Sequence, residues 1–130
     1  MAVLIDANVV LRYLLDDHEE LSAKAARIIE EREALLLPEV ACEVVYVLQK
    51  VYKVSRPEIQ EHLSALIVSQ LVLVEKAEVL LKALECYAAT SLDFVDTLLW
   101  AHHTVARDEV LTFDKKLNKH LARTKQDDEN

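Results

Sequence analysis

The chain has 130 residues, no glycine, two cysteines and a net charge of −8, with a sequence pI near 5.1. That length fits one domain around one core; no apolar run reaches the roughly 18 residues that cross a bilayer and the first residues do not resemble a removable leader, so a soluble cytoplasmic protein with no membrane partner is expected. Cys42 and Cys86 are too few for a disulfide framework or a zinc site and read as buried free thiols, while the acidic balance excludes a nucleic-acid binder that works by overall charge alone.

Ala2 to Ile5 has the aliphatic, β-branched character of a short buried strand. Asp6 stops it, and in a chain without glycine Asp6-Ala7-Asn8 must turn with side chains that bond their own backbone. Asn8 to Leu15 reads as a short helix, and His18 to Arg32 as an amphipathic one with Leu21, Ala25, Ile28 and Ile29 on its apolar face. Ala34 to Leu37 is a second strand, and Pro38 opens a helix to about Lys53. Ser55, Pro57 and Glu58 mark the entry to a helix that ends near Ser69. Leu71 to Val74 is a third strand, followed by a helix from Ala77 to about Thr90 and another from Asp93 to about Arg107. Val110 to Phe113 is expected as a fourth strand, with Asp114 capping a last helix to about Ala122 and residues 123–130 left as a frayed tail. Strands separated by helices imply a parallel sheet with right-handed crossovers. The expected fold is therefore α/β: one domain over residues 1–122, a three-layer α/β/α sandwich around a central parallel sheet of four or five strands.

Four acids sit where a solvated role suits them poorly. Asp6 ends the first strand, and Glu43 is the only charged residue between Val40 and Leu48. Asp93 and Asp96 resemble a capping box, which would satisfy Asp93 but suits Asp96 less well, because the partner in such a box is the longer Glu or Gln. Asp114 repeats the opening pattern of a strand ended by an aspartate. In a parallel sheet the carboxyl ends of strands and the amino ends of following helices share one edge, so Asp6, Asp96 and Asp114 should converge there with Glu43 close by. Carboxylates about 4 Å apart repel by roughly 4 kcal/mol at an effective dielectric near 20, and must take up protons or bind a cation. Magnesium or manganese is the natural choice for hard oxygen ligands. His102 and His103 are adjacent, point to different faces of a helix and read as packing residues. Lys115, Lys116, Lys119, Arg123 and Lys125 form a basic patch with no acid among them. Lys115 and Lys116 lie in a first helical turn, where the dipole disfavours cations, and are assigned to phosphate contact with help from Arg12.

The segments "LIDANVVLRYLL", "PEVACEVVYVLQK", "LDFVDTLLWA" and "VLTFDKKL", in that order and spacing, resemble the PIN-domain ribonucleases, in particular the VapC-like toxins of type II toxin–antitoxin modules. The resemblance runs from Val3 to about Ala122. It implies catalytic, metal-holding roles for Asp6, Glu43, Asp96 and Asp114, supporting roles for Asn8, Asp93 and Thr112, RNA cleavage that leaves a 5′-phosphate, a homodimer and a small antitoxin partner. A catalytically silent PIN-like domain that only binds protein is the main alternative. A receiver-type phosphoacceptor module would need paired acids after the first strand and a lysine ending a late strand, and neither is present.

Overall fold

A computed structural model describes the backbone of residues 1–129 and side chains as far as Thr124. Strand β1 (Ala2–Leu4) leads into helices α1 (Ala7–Leu15) and α2 (Glu19–Glu31), and β2 (Glu33–Leu35) into α3 (Pro38–Lys50) and α4 (Arg56–Val68). Strand β3 (Val72–Leu73) is followed by α5 (Ala77–Ala89), α6 (Phe94–Ala106) and α7 (Lys115–Glu129). The three strands are parallel in the order β1-β2-β3, with Ala2 opposite Glu33 and Ala34 opposite Val72. This is the α/β class expected from the alternation of strand and helix signals.

Local chemistry sets the helix ends. Asp6 Oδ1 accepts from the Val9 N–H at 3.2 Å, His18 Nδ1 from Leu21 at 3.1 Å and Ser55 Oγ from Glu58 at 3.3 Å, each satisfying a donor that the first turn leaves without a partner. Pro38 occupies the first turn of α3, where its missing N–H costs nothing. Helices commonly close on a left-handed residue, usually glycine. Here Asp16 and Arg107 take that role after α1 and α6, and the four described residues with positive φ, between 47° and 63°, all carry a β-carbon. Each such position costs roughly 1 kcal/mol that glycine would avoid.

The core joins the sheet to the helices through Val10, Ile29, Leu36, Val44, Ile59, Leu63, Leu84 and Tyr87, all fully buried. Helix α5 lies between α4 and α6, while α3 packs against both α1 and α6. Helices α1 and α6 begin at Asp6 and Asp93. No helix among the described residues is long and apolar enough to cross a membrane.

Two expectations are corrected. The sheet has three strands among the described residues, not four or five: Val110 to Phe113 forms no strand, and Leu111 and Phe113 are 86% and 105% exposed. Local side-chain bonds hold this stretch instead. Thr112 Oγ1 accepts from the Asp114 N–H at 3.0 Å, Asn118 Nδ2 donates to the Thr112 carbonyl at 2.8 Å, and His103 Nδ1 lies 3.0 Å from the Asp108 carbonyl. Such bonds compete with a sheet ladder for the same backbone groups. The second correction is at the C-terminal end, where α7 continues to Glu129 in place of a tail starting at residue 123. Leu117 of α7 is fully buried, and the Trp100 indole N–H of α6 donates to Thr124 Oγ1 at 2.7 Å, which ties the helix down beyond Ala122.

Candidate active site

Asp6, at the carboxyl end of β1, uses Oδ1 to cap α1 and leaves Oδ2 for another role. Asp114 acts in the same way at the start of α7, where its Oδ1 accepts from the Leu117 N–H at 2.8 Å while Thr112 holds its own N–H. Asp96 lies in the first turn of α6 and is half-buried. Burial pushes its carboxyl above the ordinary range, the negative charges of Asp114 and Asp93 push it further in the same direction, and only Lys116 opposes them. Three carboxylates thus share one neighbourhood, and two of them disfavour the charge of Asp96.

Asp93 departs from the expected capping box. Its backbone carbonyl accepts from Thr97, but its side chain makes no cap hydrogen bond and is exposed. The carboxylate is left to act on its surroundings as charge. Glu43 is exposed on α3, with no ion pair among the described residues, so a solvated position suits it after all. Its neighbour Cys42 lines a cavity of about 380 Å³ between α3 and the start of α6, together with Tyr46, Gln49, Lys50, Asp93 and Asp96. Asn8 and Arg12 line a different cavity with residues of α2. The Arg12 guanidinium is already occupied, 2.8 Å from Asp17 and 2.9 Å from the Tyr52 hydroxyl.

The carboxylates of Asp93 and Asp114 add negative charge beside the hard oxygens of Asp96, a condition that a divalent cation relieves. Among the described residues no three His, Cys, Asp or Glu side chains are gathered tightly enough to hold such an ion. The thiols add no competing ligand chemistry: both are free, and burial pushes each above its ordinary range.

Arg56 is a positioning residue that the sequence reading missed. Its Nη1 lies 3.1, 3.0 and 2.7 Å from the carbonyls of Tyr87, Thr90 and Leu92, its Nη2 3.4 Å from that of Ser91, and its guanidinium 4.2 Å from the centre of the Tyr87 ring. One cation on α4 therefore clasps the loop that delivers Ser91 to Lys116 and Asp93 to the start of α6. The signal was faint but physical: a cation at the first position of a helix opposes the dipole and needs a reason elsewhere. Arg56→Ala should cost about 2 to 3 kcal/mol in urea unfolding, the range of a charged hydrogen-bonding group, with Arg56→Lys recovering only part. A loss below about 0.5 kcal/mol, the level of an ordinary surface substitution, would show that the loop stands without it.

These features define a class: a small α/β domain with an aspartate at the carboxyl end of its first parallel strand, the edge at which such sheets bind ligands. A family profile described as PIN domain matches residues 3–121, and the chain belongs to the PIN domain family. No curated protein and no solved structure matches it. PIN domains are commonly metal-dependent nucleases.

Proposed function

We propose that this PIN domain is a divalent-metal-dependent endoribonuclease that hydrolyses RNA phosphodiester bonds in the cytoplasm as the toxin of a toxin–antitoxin pair. The observation that carries the reading is Asp96, a half-buried carboxylate destabilised by burial and by Asp114 and Asp93. A fold keeps such a group where charge is needed for chemistry. Asp6, Glu43, Asp96 and Asp114 would hold Mg2+ or Mn2+, which when bound lowers the pKa of a coordinated water and offsets charge on the phosphoryl oxygens. The chain's own groups prepare that edge. Thr112 fixes the backbone of Asp114, Arg56 fixes the loop before Asp93, and Lys116, held 2.7 Å from Ser91 Oγ, supplies a cation beside the acids.

Exposed Val95 and Leu99, one turn apart on α6, and exposed Tyr46 on α3 support a homodimer or an antitoxin-binding surface. A monodisperse monomer in light scattering at micromolar concentration would count against the dimer. The second reading, a silent protein-binding domain of the same fold, is favoured by the open spacing of the acids. Asp6→Asn separates the two, because Asn keeps the turn's acceptor and removes only the charge. Cleavage of a single-stranded oligoribonucleotide with Mg2+ should fall about a hundredfold, as on loss of one electrostatic stabiliser. Full cleavage by Asp6→Asn with a chelator present would overturn the metal reading.

A further inference from the structure

Helix α7 and the loop after α5 enclose a cavity of about 390 Å³ lined by Ser91, Lys116, Lys119, His120 and Arg123, with no carboxylate among the described lining residues. The spacing of positions 116, 119, 120 and 123 places them on one face of the helix. Three permanent cations thus surround one concavity in a chain of net charge −8. An anion seated among them would be attracted by all three. His120, also in the lining, is half-buried: its Nε2 lies 3.5 Å from Cys86 Sγ, its ring is 5.0 Å from that of Trp100, and burial with the nearby Arg123 pushes its pKa down.

The cavity adjoins the acids. Lys116 Nζ is 2.7 Å from Ser91 Oγ inside it, and the same ammonium acts on Asp96. A strand with one phosphate at the acidic edge therefore has a cationic recess waiting beside that phosphate.

We infer that this cavity is a second phosphate subsite, which holds a backbone phosphate of the RNA strand next to the one cleaved at the acidic edge. The inference rests on the ribonuclease reading and shifts the basic contacts along the helix: Lys119 and Arg123 line the recess with Lys116, whereas Lys115 is exposed outside it.

The test is fluorescence anisotropy of a labelled single-stranded oligoribonucleotide with a chelator present, repeated over a salt series. Lys119→Gln with Arg123→Gln should weaken binding and reduce the slope of log affinity against log salt by about 0.7 to 1.4, one to two phosphate contacts on a single strand. Arg27→Gln, exposed on α2, should leave the slope as it is. A deoxyribonucleotide strand should show the same loss, because a phosphate contact does not sense the 2′-hydroxyl. An unchanged slope in the double variant, or an equal drop in Arg27→Gln, overturns the subsite. If the wild type cuts RNA with Mg2+ while the double variant keeps its slope, the subsite alone falls. If the slope drops but the wild type cuts no RNA, the subsite stands and the nuclease reading falls.

Discussion

Asp96→Asn should lower RNA cleavage by about a hundredfold or more, the usual effect of removing one well-placed electrostatic group, while leaving the metal-free protein no less stable than the wild type. The second half of that result separates chemistry from structure. The Asp96 carboxyl is raised in the fold by burial, then by Asp114 and Asp93, with Lys116 opposing. A carboxyl whose folded pKa lies above its unfolded value supports the fold below the unfolded pKa. That support is lost as pH rises through the folded pKa, when the charge must form in an unfavourable place. In a chelator-containing buffer, the wild type should therefore lose thermal stability relative to Asp96→Asn as pH rises from about 4. Asparagine removes the charge at nearly constant shape, and Asp93 and Asp114 lose a repelling neighbour. A variant that unfolds more easily at neutral pH would make Asp96 a structural residue and remove the main support for the catalytic reading. Asp93→Asn should be milder in cleavage, because Asp93 is exposed and reaches Asp96 only as charge.

Leu117→Ala should cost about 2 to 5 kcal/mol in urea unfolding, the range for a fully buried leucine that leaves a cavity. Leu117 is the only fully buried side chain among the described residues of α7, and the rest of the helix is held to α6 by half-buried Leu121, by the Trp100 and His120 rings and by the Trp100–Thr124 hydrogen bond. The same helix begins at Asp114 and carries Lys116, so the variant should also lose cleavage at temperatures where it remains folded. Leu121→Ala, nearer the surface, should cost less. A loss under about 0.5 kcal/mol for Leu117→Ala, typical of surface sites, would mean that α7 does not depend on this contact.

Features governed by neighbouring residues were legible in the sequence, and features that depend on distant partners were not. Asp6, Ser55 and Pro38 declared their helix starts because a cap needs only the next three residues. Val110 to Phe113 has strand-like residues, yet strand propensity expresses fit to a half-buried pleated surface. Here Asn118 claims the Thr112 carbonyl, while Thr112 Oγ1 and His103 bond the backbone on either side of the stretch, at Asp114 and Asp108. Asp93 and Asp96 had capping-box spacing, but the aspartate side chain does not close the box, which leaves two carboxylates side by side near Asp114. Arg56 gave only a faint signal because its carbonyl partners lie 31 to 36 residues further along the chain. Lys119 and Arg123 were undecidable for a related reason: a cation late in a helix looks the same whether it complements the dipole or lines a cavity.

The most direct measurement is a time course of a single-stranded oligoribonucleotide with the wild-type protein and Mg2+, with the ends of the fragments identified. The proposed hydrolysis, with Asp6, Asp96 and Asp114 as metal-holding acids and water as the attacking group, predicts internal cuts that leave a 5′-phosphate on the downstream fragment and stop when chelator is added. Fragments ending in a 2′,3′-cyclic phosphate, the mark of attack by the neighbouring 2′-hydroxyl, or no fragments at all, would contradict it.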